Sequence, residues 1–159
     1  MNIRLLVCGA MAALGLSLAA PVAAEASSTP WEVLGQGGRA GSCAKVRGGD
    51  VCAVVVCQKR RGDLRLFVQG LPAPAEGVST VPGSINIDNN IRDVTWAFNV
   101  ARNGKPRWFV DVKRDQFFDR VQKGYAMVVQ VGETPLPVLY SLAGSFRAIE
   151  EVDRNCPDR

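Results

Sequence analysis

Seven consecutive apolar residues, two of them cysteines, constrain this chain more than any other feature: Val51-Cys52-Ala53-Val54-Val55-Val56-Cys57. A valine-rich run of this length without a polar interruption is the pattern of a strand buried on both faces. Side chains alternate across a strand, so Cys52 and Cys57, an odd number of residues apart, point to opposite sides and do not pair with each other. Such a strand belongs at the centre of a sheet, with something apolar packed on the Cys57 face. The C-terminal stretch supplies a cover. Leu142, Phe146, Ile149, Val152 and Cys156 recur at intervals of three or four residues, the period of one helix face. Ser141 is the expected N-cap, Glu150 and Arg154 an i,i+4 pair, and Pro157 follows the end.

The cysteines also bear on compartment. Met1 to Arg4 is a short positive region, Leu5 to Ala20 an apolar run, and Val22-Ala23-Ala24 a small-residue cleavage signal, so residues 1–24 read as a signal peptide cut before Glu25. The run is short and rich in Ala and Gly, which argues against a stable membrane span. Cys8 sits too early, behind a large Val7, to be a lipidated cysteine. Residues 25–30 read as a flexible polar leader, and residues 31–159 as a single disulfide-stabilised β-rich domain. Four cysteines then remain, Cys43, Cys52, Cys57 and Cys156, the even set expected of two disulfides in an exported protein. Of the three connectivities, Cys43–Cys52 with Cys57–Cys156 is the one we favour. Metal binding is the competing reading of four cysteines, but the chain has no C-x-x-C and no histidine. After removal of the signal peptide, 18 basic face 15 acidic side chains, a balance too mild to argue for nucleic acid.

In chain order, Trp31 to Leu34 reads as a short strand or anchor, and Gly35 to Gly41 as a glycine-rich loop. Ser42–Val46 and Val51–Gln58 are strands around an Arg47-Gly48-Gly49-Asp50 turn. Lys59 to Asp63 reads as a solvated basic hairpin tip before the strand Leu64–Gln69. Gly70 to Pro82, rich in Pro and Gly, is longer than ordinary connections and is therefore either mobile or a binding element. Ser84–Asp88 is a short strand turned by Asp88-Asn89-Asn90, for which an Asx turn is a better reading than a calcium site on Asp88, Asn90 and Asp93. Arg92–Val100 and Arg107–Val112 form a hairpin. A two-residue Asn103-Gly104 turn would mismatch its faces, whereas a three-residue Arg102-Asn103-Gly104 loop with left-handed Gly104 pairs Phe98 with Trp108 and Trp96 with Val110. Asp115 to Gly124 reads as a short helix capped by Asp115, with Phe117, Phe118 and Val121 on one face and Gly124 closing it. Tyr125–Val131 and Leu136–Tyr140 are the last strands.

No catalytic constellation emerges. Without histidine there is no neutral base for a Ser-His-Asp or Cys-His arrangement. Gly144-Ser145 lacks the spacing of a nucleophile elbow. A Ser–Lys dyad would draw on Lys45, Lys59, Lys105, Lys113 or Lys123, none of which is placed beside a serine. The acidic residues are scattered, Gly35-Gln36-Gly37-Gly38 precedes a strand rather than a helix, and no thiol-redox motif occurs. Trp31, Trp96 and Trp108 fit core positions better than a ligand platform, because their neighbours alternate as buried strands do. No catalytic residue, cofactor or metal ligand is assigned.

The order of the motifs is itself informative. Trp31 precedes Gly49-Asp50-Val51-Cys52-Ala53-Val54-Val55. Then come Val81-Pro82-Gly83-Ser84-Ile85-Asn86-Ile87-Asp88-Asn89, a hairpin, Asp115…Phe118…Val121-Gln122-Lys123-Gly124, and Ser141-Leu142-Ala143-Gly144-Ser145-Phe146. This series resembles the invasion-associated locus B family of alphaproteobacterial envelope proteins over nearly all of the exported chain. Members of that family carry an extra cysteine pair in the central hairpin, where this chain has Asn99 to Trp108 and no cysteine. The resemblance implies a periplasmic or secreted β-domain with no established catalytic residues, acting on an envelope or host protein, including in host-cell entry. The alternative is a periplasmic inhibitor or small-ligand-binding protein that presents the Gly70–Pro82 loop.

The expected fold is mainly β: an antiparallel β-sandwich or partly closed barrel, with one short helix and a C-terminal helix packed on the sheet. Its expected core comprises Val54, Val56, Leu66, Trp96, Phe98, Val110, Phe118, Val128, Leu139, Phe146 and Ile149.

Overall fold

The computed structural model describes residues 28–35, 38–58, 63–134 and 137–156. The signal-peptide segment, the Lys59–Gly62 part of the basic tip, Leu136 and the side chains of Asp115 and Phe118 lie outside the described residues.

Among the described residues, nine strands form one antiparallel sheet, and two helices pack on it. The strands are β1 (Glu32–Val33), β2 (Arg39–Val46), β3 (Gly49–Gln58), β4 (Asp63–Gln69), β5 (Thr80–Ile87), β6 (Asn90–Val100), β7 (Pro106–Val112), β8 (Ala126–Val131) and β9 (Val138–Ser141). The helices are α1 (Arg114–Lys123), between β7 and β8, and α2 (Ser145–Arg154), after β9. The strand order is β1-β2-β3-β4-β7-β6-β5-β8-β9, and the sheet curls into a half-barrel. Of the two expected architectures the partly closed barrel holds; among the described residues there is no second sheet to make a sandwich.

The inner face follows from register. Val55 pairs with Leu66 and Leu66 with Val110; Cys57 pairs with Leu64 and Leu64 with Val112. Cross-strand partners share a face, so these rows line the concave side, continued by Trp96, Ile85, Ile87, Met127, Val129 and Tyr140. The outer face carries the Cys43–Cys52 row and a Val54, Phe67 and Phe109 row, in which Arg107 and Arg65 stack on the two phenyl rings at 4.4 Å. Burial on both faces of the Val51–Cys57 strand is therefore real, with Val54 buried outward and Val55 inward.

The two ends of the half-barrel differ. β4 and β5 are separated by the inserted β7–β6 pair, three strand spacings or roughly 14–15 Å, and the 70–79 connection spans that gap across one end. This is the physical reason for its length. It ends earlier than expected because β5 starts at Thr80 and contains Pro82. The Pro82 carbonyl accepts from Gly132 N–H, so its nitrogen points past the end of the β5–β8 ladder, where a missing donor breaks no rung. Trp108 Nε1–H donates to the Pro72 carbonyl at 3.1 Å, and Leu71 packs on the core, which anchors the loop.

The other end is plugged by the helices. α1 presents Phe117 and Val121 to the core, and Ser145 of α2 donates its hydroxyl hydrogen to the Val121 carbonyl at 2.7 Å. α2 reaches from β9 across to β1, β2 and β3 and is fastened by Cys57–Cys156. Near the same seam, Ser28 bridges to Ala44, Ser28 Oγ accepts from Ser141 N–H, and Trp31 N–H donates to the Ala143 carbonyl. Ser28 to Trp31 therefore closes the gap between β2 and β9. Ser28 and Thr29, expected in a flexible leader, are tied into the fold.

Several expectations are corrected. α2 starts at Ser145 behind left-handed Gly144, not at Ser141, which is the last residue of β9. The buried face of α2 is Ser145, Ala148, Ile149 and Val152, so Phe146 is turned about 100° away and is 59% exposed. In β8 and β9 the buried set is Met127, Val129, Val131, Val138 and Tyr140, one residue out of phase with the expected Val128 and Leu139. Register decides this: Val129 pairs with Ile85 and Met127 with Ile87, both on the inner face. Val56 is only half-buried. The N-cap of α1 is Lys113 rather than Asp115, and Gly124 ends it in an extended rather than left-handed conformation. Gly124 is small for a different reason, since a Cβ there would meet Leu142 Cδ1 at 2.7 Å and the Arg120 carbonyl at 2.8 Å.

The β6–β7 hairpin has the expected three-residue loop. Ala101 N–H donates to the Lys105 carbonyl, Gly104 has φ 77°, and Phe98 pairs with Trp108. The expected Trp96–Val110 pair does not form. The β6–β7 ladder stops at Ala97–Phe109, and Trp96 stays with β5 opposite Val81. Its ring lies over Gly83, and its Nε1–H donates to the Gln130 carbonyl at 2.8 Å.

Candidate functional site

The four cysteines expected to pair do so as Cys43–Cys52 and Cys57–Cys156. Cys43 and Cys52 are direct cross-strand partners on the outer face. Cys57 and Cys156 are both buried inside, beneath α2. These bridges occupy all four thiols and make the cysteines structural.

Other residues singled out by sequence resolve into structural roles. Trp31, Trp96 and Trp108 are all buried, at 3%, 0% and 4% exposure, and belong to the core rather than to a platform. Ser145 is buried, with its hydroxyl committed to Val121. Asp88 and Asn89 have φ of 47° and 68°, giving a two-residue turn between Ile87 and Asn90. The Asp88 carboxylate accepts from Tyr125 N–H and Ala126 N–H at 3.0–3.1 Å, which pins the start of β8 to this turn. Its oxygens are thus engaged by backbone, and Asn90 Oδ1 accepts from Arg120. Among the described residues no group of three or more acidic or cysteine side chains gathers at metal-binding distance, and no helix is long and apolar enough to cross a membrane.

Two features were not visible in the sequence, and both lie at the helix-plugged end. The first is a set of exposed apolar side chains. Tyr125 is 85% exposed, Ile91 66% and Phe146 59%. They come from segments stitched to one another: Asp88 holds Tyr125, Leu142 N–H donates to the Tyr125 carbonyl, and Arg120 of α1 reaches Asn90 beside Ile91.

The second is a cavity of about 380 Å³ under α1, where β6 and β7 part. Because their ladder ends at Ala97–Phe109, the Asn90–Val94 part of β6 and the Val110–Val112 end of β7 splay, and α1 roofs the gap. The floor is apolar, from Ile85, Ile87, Val94, Val112 and Phe117. The mouth is cationic, with Arg92, Lys113 and Arg120. Arg92 donates to Gln116 Oε1 at 2.8 Å and Arg120 to Asn90 Oδ1, so both guanidinium groups rest on neutral amides. Asp111 at the edge is held by Arg65 at 2.6 Å. The three cations are 21 and 7 residues apart in sequence, Arg92 to Lys113 and Lys113 to Arg120, and only the fold assembles them.

On the outer face, burial and then the neighbouring Arg65 charge hold the Arg107 guanidinium below its ordinary range. Inside, burial pushes the Tyr140 hydroxyl well above its ordinary value and keeps it neutral.

Comparison of the chain with protein-family models, with curated proteins and with solved structures returns no match in any of the three.

Proposed function

We propose that this is a non-catalytic protein of the bacterial envelope, exported to the periplasm or secreted, that works by binding another protein. The exposed apolar residues at the helix-plugged end, Ile91, Tyr125 and Phe146, carry this reading. Aromatic and aliphatic side chains this exposed on a disulfide-locked scaffold are the kind that a protein partner covers. Two disulfides support an oxidising compartment, since such bridges persist outside the cytosol. The resemblance to the invasion-associated locus B family supports an envelope or host protein as partner, and host-cell entry as the setting.

The inhibitor alternative rested on a projecting Gly70–Pro82 loop. The 70–79 segment is instead tied to Trp108 and explained by the strand crossing it makes, so the helix-plugged end is the better interaction surface. The test is capture of partners from envelope and culture fractions by the wild-type protein, by an I91S/Y125S/F146S variant and by a variant with residues 74–78 shortened. The proposal expects a stoichiometric partner lost from the triple variant and kept by the loop variant. A partner retained by the triple variant and lost with the loop would replace it with the inhibitor reading.

A further inference from the structure

We propose that the cavity under α1 is a binding site for a small amphipathic anion, a carboxylate carried on a medium-length apolar chain. This does not depend on the protein-binding role above. The volume, about 380 Å³, falls within the range of small-ligand pockets, and its apolar floor with a few polar groups at the mouth is their usual make-up.

Charge specifies the sign of the headgroup. Arg92, Lys113 and Arg120 line the mouth, and Asp111, the acid among its described lining residues, is already engaged by the bidentate bond from Arg65 Nε and Nη2. Arg92 and Arg120 hold neutral amide oxygens in its place, bonds that a carboxylate would replace with stronger, charge-assisted ones. The N-terminus of α1 adds to this. Lys113 is its N-cap, no side chain caps it, and Gln116 and Phe117 of the first turn line the cavity. The N–H groups of a first helical turn and the helix dipole favour a negative group at that position. The apolar chain would lie on Ile85, Ile87, Val94 and Phe117, between sheet and helix.

The cavity exists because β6 leaves β7 at Ala97. A hairpin paired to its end would place Trp96 opposite Val110 and fill this space. The parting of the strands is therefore the structural device that makes room for a ligand.

Octanoate is the probe, with 1-octanol and inorganic phosphate as controls, measured by calorimetry on the oxidised protein. Octanoate should bind at one site, octanol at least tenfold more weakly, and millimolar phosphate should not displace octanoate. Arg92→Gln with Arg120→Gln should weaken octanoate binding tenfold or more, and Val94→Trp, which fills the floor, should abolish it. Backbone amide shifts of the wild-type protein give a readout independent of the variants. Octanoate should move residues of α1 and the start of β6, and leave the 70–79 loop unmoved. Absence of octanoate binding, equal binding of octanol, unchanged affinity in the double variant, or shifts confined elsewhere would each overturn the proposal. Binding to anionic phospholipid vesicles with none to free octanoate would overturn it in favour of a membrane surface.

Discussion

Removing the Cys57–Cys156 bridge should cost the domain about twice as much as removing Cys43–Cys52. The two bridges differ chiefly in the length of chain they close, with sequence separations of 99 and 9. In the chain-entropy model a loop of roughly 100 residues is worth about 4.7 kcal/mol and a ten-residue loop about 2.7 kcal/mol. The structure widens the difference. Cys57 and Cys156 are buried and join β3 to α2, the helix that plugs one end and draws the sheet edges together. Cys43 and Cys52 join strands already paired along eight positions. For a domain of this size the losses correspond to melting temperatures lower by roughly 20 °C and 10 °C. Double alanine variants, C57A/C156A and C43A/C52A, compared by urea and thermal unfolding would read this directly. Equal losses, or a greater loss from C43A/C52A, would refute the view that α2 is held chiefly by its bridge.

Three further outcomes follow from local geometry. Gly83→Ala puts a Cβ 2.2 Å from the Gln130 carbonyl and 2.6 Å from the Trp96 ring, so backbone must move, and urea unfolding should show a loss of about 3 kcal/mol or more. Asp88→Ala removes the carboxylate that holds Tyr125 and Ala126 and places alanine in a left-handed turn; it should cost about 1–3 kcal/mol, with Asp88→Asn costing less than half of that. Tyr140 buries a hydroxyl without a partner among the described residues, and its raised pKa means that the folded state keeps a proton that the unfolded state loses above about pH 10. Stability should therefore be full below that pH and fall by up to ~1.4 kcal/mol per pH unit above it. Tyr140→Phe should remove this slope in alkaline unfolding curves without loss at pH 7.

What was legible in the sequence was what depends on local periodicity and on parity. The odd spacing of Cys52 and Cys57 excluded their pairing, and the remaining preference proved right because Cys57 faces inward toward α2. Face matching selected the three-residue β6–β7 loop, since Phe98 and Trp108 are large enough to make the alternative costly. Failures arose where the pattern is degenerate. Ala126–Val131 and Val138–Ser141 are apolar at too many positions to show a phase, and only the pairing of β8 with β5, and of β9 with β8, fixes it. Phe146 matched a helical stripe, but left-handed Gly144 caps the helix three residues later than Ser141 would, so Ser145 and Ala148 are buried in place of Phe146. The insertion of β7–β6 between β4 and β5 has no local signature. The cavity that follows from it, with Arg92, Lys113 and Arg120 at its mouth, was for that reason invisible.

The most direct test of the account is site-specific photocrosslinking in the living cell. A benzophenone amino acid would replace Tyr125 or Phe146 at the helix-plugged end and, as control, Val46, an exposed apolar residue at the opposite end of the half-barrel. The account predicts a discrete adduct to an envelope or host protein from positions 125 and 146 and none from position 46. Adducts from position 46 alone, or the same adducts from all three, would contradict it.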